Sequence, residues 1–72
     1  MTFGQPTPLD LMVEDRWTWL MVRLEARGLV VEQPHAPWGW LPVPATTENM
    51  LALDMLRTWV AWTVAACWPL PA

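Results

Sequence analysis

The sequence predicts a mainly α-helical fold, a helix–loop–helix unit whose connection is rich in proline and tryptophan. Two segments of about twenty residues each carry helical apolar spacing without an internal proline. Between them, residues 34–44 contain four prolines, which exclude a helix there. A length of 72 residues allows one small domain, residues 1–72. Residues 1–7 are expected to form an extended arm and residues 69–72 a tail.

The first helix is predicted over residues 8–27. Thr7 suits the N-cap, Pro8 suits the first helical position, and Asp10 lies where a capping box has its acid. Asp10 is shorter than the Glu or Gln that is usual in that motif. The hydrogen bond from the Thr7 N–H to its carboxylate is therefore less strongly predicted than the bond from the Asp10 N–H to the Thr7 side chain. Gly28 is expected to end the helix, because glycine adopts the left-handed backbone conformation at little cost.

This helix carries two apolar faces, with an acidic rib on one side between them and an arginine rib on the other. A surface helix needs one apolar face, so two faces predict a helix that is packed between two neighbours. The first face holds Leu9, Val13, Trp17, Leu20 and Leu24, and the second holds Leu11, Trp19, Val22 and Ala26, with Met12 at its edge.

Residues 28–46 form the connection, and two conformations fit it. One is a short β-hairpin that joins residues 29–33 to residues 40–43, with Pro42 on an edge, which would make the fold α+β. The other is a polyproline-like arm that lies across the helices.

The second helix is predicted over residues 47–68, beginning near Thr46 or Thr47 and ending before Pro69. Its polar side is narrow, and the spacing of Asp54 and Arg57 predicts an ion pair within the helix. More than half of its circumference is apolar, which is typical of a buried helix.

One other long helix cannot surround such a helix, so the chain is expected to need a partner. A domain of this size buries only about 60% of its unfolded-chain surface. Several of the seven tryptophans would therefore stay exposed in an isolated copy, and tryptophan is enriched in binding hot spots. The predicted protein-interaction residues are Trp19, Trp38, Trp40, Trp59, Trp62 and Trp68.

The segment Trp38-Gly39-Trp40 is the most distinctive local feature and has two interpretations. Its indoles either pack on the helices and close the core, or project as an anchor that fills a groove on another protein.

No catalytic, cofactor or metal site is predicted. His35 and Cys67 are the chain's single His and Cys, and no ligand spacing supports a metal ion. The chain has no serine nucleophile, and its three glycines are isolated from one another, unlike those of a phosphate loop. Four arginines against seven acids give a net charge of -3, which opposes direct binding of nucleic acid.

The sequence therefore predicts a non-catalytic structural or accessory protein that acts through protein–protein association, either with itself or within a larger complex. A phage-type role as a particle component or as an inhibitor of a host complex fits this composition, and composition does not choose between them. The alternative is a membrane-associated accessory subunit, with the C-terminal helix inserted or interfacial. Residues 1–9 lack the charged start and apolar run of a signal peptide, so the cytoplasm is the expected compartment.

Overall fold

The computed structural model describes residues 7–67, which form two helices with a short antiparallel hairpin between them. This arrangement confirms the mainly helical class and shows the hairpin rather than the polyproline-like arm. Most of the predicted arm at residues 1–7, the tail at residues 69–72 and Trp68 lie outside the described residues. The elements in chain order are α1 (Pro8–Ala26), β1 (Val30–Glu32), β2 (Trp40–Pro42) and α2 (Thr47–Ala66).

The N-terminus of α1 has the complete capping box. The Oγ1 of Thr7 accepts the Asp10 N–H at 3.1 Å, and the Asp10 Oδ2 accepts the Thr7 N–H at 3.1 Å. The short aspartate side chain therefore reaches back to the cap. Both bonds satisfy backbone donors that a helix end leaves without partners.

The C-terminus of α1 closes through a Schellman motif. Gly28 has φ +73°, and its N–H donates to the Glu25 carbonyl at 2.9 Å. The Leu29 N–H donates to the Leu24 carbonyl at 3.0 Å. Arg27, predicted as the last helical residue, is the C-cap, so the helix ends one residue earlier than predicted.

The hairpin pairs Val30 with Pro42, Val31 with Leu41, and Glu32 with Trp40. Hydrogen bonds flank this register, from the Val43 N–H to the Leu29 carbonyl and from the Gln33 N–H to the Gly39 carbonyl, each at 2.9 Å. In an antiparallel ladder, hydrogen-bonded residue pairs alternate with pairs that share no hydrogen bond. Because the pair of Leu29 with Val43 is hydrogen-bonded, the next pair, Val30 with Pro42, is not. Its missing N–H therefore removes no ladder bond, and a proline is compatible with this strand.

Helix α2 begins after Thr46, whose Oγ1 accepts the Asn49 N–H at 3.1 Å. The helix ends at Ala66, with Cys67 as its C-cap. Its start agrees with the prediction, and its end lies two residues before the predicted one.

A single core layer lies between the two helices and the hairpin. Trp17 and Met21 of α1, Leu53 and Val60 of α2, and the strand residues Val30 and Trp40 form its buried cluster. Within residues 7–67, the first apolar face of α1 contributes to this core, whereas the second face is exposed. The predicted second neighbour of α1 is therefore not supplied by the described part of the chain.

The left-handed conformation at Gly28 gives a stability prediction. A Cβ built at Gly28 meets no heavy atom within 4 Å, so any cost of Gly28→Ala comes from the backbone. We expect Gly28→Ala to lower the free energy of unfolding by about 1 kcal/mol. We expect Gly28→Asn to cost less, because asparagine tolerates this conformation. Urea unfolding followed by circular dichroism measures both, and equal stability of the alanine variant and the wild type would contradict this helix end.

Candidate protein-binding surface

Large apolar side chains are exposed along both helices. They lie on the sides of α1 and α2 that face away from the core layer. The exposed set is Leu11, Met12, Trp19 and Val22 on α1 and Leu51, Met55, Trp59 and Trp62 on α2.

The four α2 side chains form one strip along the helix, which we call the α2 stripe (Leu51, Met55, Trp59 and Trp62). Trp59 and Trp62 are 60% and 73% exposed, and Met55 is 66% exposed. Their spacing of three and four residues places them on one side of the helix, opposite the buried side chain of Leu53. The stripe is therefore an apolar helix face that the described residues leave uncovered.

A groove between the helices continues this apolar surface onto α1. Its volume is about 500 Å³, and Trp19 of α1 and Trp59 of α2 both line it. Trp59 also lines a shallower hollow of about 370 Å³ together with Met55 and Trp62. The stripe and the groove thus share Trp59 and form one surface that crosses both helices. The other groove residues are Met12, Arg16, Leu20, Val60, Thr63, Val64 and Cys67.

Two arginines hold the indole of Trp19 at the α1 edge of the groove. The Arg23 Cζ lies 4.3 Å from the ring centroid, and the Arg16 Cζ lies 5.8 Å from it. These residues are three and four positions from Trp19, so the helix itself brings the cations to the ring. The groove is therefore apolar inside and positively charged along this edge.

Neither indole of the Trp38-Gly39-Trp40 segment projects as a free anchor. Trp40 is buried in the core. The Trp38 ring lies over the Arg57 guanidinium at 4.9 Å, and its Nε1–H donates to the Asp54 Oδ1 at 2.5 Å. The Trp38 carbonyl also accepts the Trp17 Nε1–H at 3.1 Å. Both rings therefore connect the hairpin to the helices.

The Arg57 side chain lies between two indoles and is 14% exposed. Its Cζ is 5.4 Å from the Trp17 ring and 4.9 Å from the Trp38 ring, and it pairs with the Glu14 carboxylate of α1. The predicted pair of Asp54 with Arg57 is thus wrong, because the two indoles draw Arg57 toward α1 and the Trp38 N–H engages Asp54. The Nη1 of Arg57 is buried and has no hydrogen-bond partner among the described residues.

Three of the six predicted interaction residues come together on one surface, namely Trp19, Trp59 and Trp62. Trp38 and Trp40 lie on the hairpin instead, and Trp68 lies outside the described residues. The predicted interaction residues did not include Met12, Leu51 and Met55, although Met12 was placed at the edge of an apolar face of α1. The four-four-three spacing of Leu51, Met55, Trp59 and Trp62 is the signal that could have found those on α2.

The described residues contain no candidate metal site. In the range 7–67, no group of three or more His, Cys, Asp or Glu residues is placed to hold a metal ion. Neither described helix is long and apolar enough to cross a membrane. No family model, curated protein or solved structure matches the chain, so its function has to be inferred from this surface.

The contrast between the surface and the core gives a second prediction. The double variant Trp59→Gln/Trp62→Gln should change the free energy of unfolding by less than about 0.5 kcal/mol, since both rings are exposed. Trp40→Ala should lower it by about 3–5 kcal/mol, because it opens a cavity in the core. Urea unfolding at low protein concentration, where association does not add stability, makes the comparison. A large loss in the double variant would show that these rings support the fold of the single chain.

Proposed function

We propose that this is a non-catalytic protein that acts by associating with protein through the α2 stripe and the adjoining groove. The observation that carries the proposal is the continuous apolar surface around Trp59. Two tryptophans that belong to no core are held on it by a folded scaffold. Large exposed apolar surfaces are typical of interaction sites.

The size of the surface supports this function. A fully exposed indole offers up to about 250 Å², so the exposed fractions of the four stripe side chains amount to about 600 Å². The largest apolar patch on a typical monomer is about 300–600 Å². Adding Met12 and Trp19 across the groove brings the total to about 800 Å², which is about what one partner contributes to a standard protein interface.

The composition and rigidity of the surface also suit protein binding. The stripe itself carries no charge, and the neighbouring Asp54 is engaged by the Trp38 N–H. Tryptophan is among the residue types most enriched in binding hot spots. Because the stripe lies on a helix that Arg57 ties to α1 and to the hairpin, binding orders little additional backbone.

This function fits both a component of a larger particle and an inhibitor that covers part of another complex. In each case the chain would act by covering apolar surface and would form or break no covalent bond. The alternative is a subunit that lies at a membrane interface. In that case the exposed rings of Trp59 and Trp62 would insert into the lipid surface instead of contacting a protein.

A copurification experiment with matched variants tests the proposal. The tagged chain is crosslinked in the cells that produce it and purified as wild type, as Trp59→Gln/Trp62→Gln, and as Leu11→Gln/Val22→Gln. The last variant removes comparably exposed apolar side chains from α1, outside the groove. We expect a protein at defined stoichiometry with the wild type and the α1 variant, and at least a tenfold loss with the stripe variant.

Two outcomes would contradict the proposal. One is an equal yield of the bound protein from all three forms. The other is the absence of any bound protein together with flotation of the purified wild type on phosphatidylcholine vesicles, which would favour the membrane alternative. A second copy of the chain counts as a bound protein, so an untagged copy is expressed alongside the tagged one.

A further inference from the structure

We infer that a second copy of this chain covers the α2 stripe, with α2 packed antiparallel against α2 of the other copy. This inference rests on the proposed function and names the partner of the stripe. Two observations carry it, which are the spacing of the exposed side chains and their area. Side-chain volume then sets the direction of the pairing.

The spacing is that of a helix–helix seam. Three residues of the stripe, Leu51, Met55 and Trp62, form this seam together with the exposed Thr58, at intervals of four, three and four residues. This interval averages about 3.5 residues, the repeat that keeps one side of a helix facing a partner helix over its length. The fourth stripe residue, Trp59, lies beside the seam. The core-facing residues of α2 lie on the opposite side, so the seam and the core use different faces of the same helix.

The area suffices for a specific dimer. Each stripe exposes about 600 Å², so two fully covered stripes would bury about 1,200 Å² together, the lower limit of specific and stable interfaces. The exposed residues between and beside the stripe side chains add to this value. The interface is small enough for monomer and dimer to exchange within an accessible range of concentration.

The antiparallel direction follows from side-chain volume. With the two-fold axis midway between positions 56 and 57, Trp62 faces Leu51 of the second copy and Met55 faces Thr58. The flanking Trp59 then lies over Ala52 of the second copy. Every layer therefore joins a larger side chain to a smaller one, which keeps the helix separation even.

A parallel pairing lacks this match. It would oppose Trp62 to Trp62 and Thr58 to Thr58, so one layer would be too wide and another too narrow. It would also align the two helix dipoles, whereas the antiparallel pairing opposes them. An isologous pair of this kind is closed, and it forms a dimer rather than a filament.

Sedimentation equilibrium of the purified chain tests the inference over about 1 to about 300 µM. We expect the mass to rise from the 8.3 kDa of one chain toward twice that value. Leu51→Glu should raise the dissociation constant at least tenfold, since it places two charges in the seam. Leu11→Glu is the matched control, because Leu11 and Leu51 are 56% and 59% exposed on different helices. It should leave the dissociation constant unchanged.

Disulfide trapping tests the direction, in a Cys67→Ser background that removes the exposed native thiol. The double variant Met55→Cys/Thr58→Cys should form interchain disulfides under mild oxidation. Leu51→Cys alone should not, because the antiparallel pairing separates the two copies of position 51 by about 16 Å along the helix axis.

A mass of 8.3 kDa at every concentration would overturn the dimer, and equal dissociation constants for the two glutamate variants would overturn its seam along the α2 stripe. Ready crosslinking through Leu51→Cys would overturn the antiparallel direction. These failures differ from failure of the proposed function, since a chain that stays monomeric yet holds a different protein through Trp59 and Trp62 would keep that function and lose this partner.

Discussion

The number of elements in residues 7–67 limits how much apolar surface this part of the chain can cover. Two helices and a two-stranded hairpin enclose one layer of side chains, centred on Trp17 and Met21, and each helix has one covered side. The apolar side chains of α2 extend well beyond that side, so those that find no place in the layer remain exposed as the stripe. Because the surplus lies on one regular helix face, it is a defined surface on which a partner can pack.

The contacts of Arg57 connect this surface to the fold. A guanidinium between Trp17 and Trp38, paired with Glu14, joins α2 to both α1 and the hairpin. An arginine guanidinium can contact aromatic faces in a way that a lysine ammonium cannot, and Arg57 lies close to both rings with little of its side chain exposed. The rotation of α2 about its own axis is thereby fixed, with the stripe turned outward. Trp38 therefore acts on the stripe indirectly, by holding the helix that carries Trp59 and Trp62.

Local sequence signals predicted the helices, but they did not predict the long-range contacts between the elements. The capping box at Thr7 and the glycine at position 28 depend on a few adjacent residues, so they could be read directly. The hairpin could not be distinguished from an extended arm, because its register depends on pairing across eight or more residues. The ion pair of Arg57 with Glu14 spans 43 positions, and helical spacing alone favoured Asp54. Counting apolar residues against the available cover predicted that several tryptophans stay exposed, but which ones required the fold, since Trp40 was included among them and is buried.

The most direct test of this account is fluorine NMR of the chain labelled with 5-fluorotryptophan, at a concentration where it is monomeric. The solvent isotope shift between H₂O and D₂O reports which indoles contact water, and single Trp→Phe variants assign the signals. Large shifts are expected for Trp59 and Trp62 and negligible shifts for Trp17 and Trp40. Shifts for Trp59 and Trp62 as small as that of Trp17 would contradict an exposed stripe, because a single copy would then cover these two indoles.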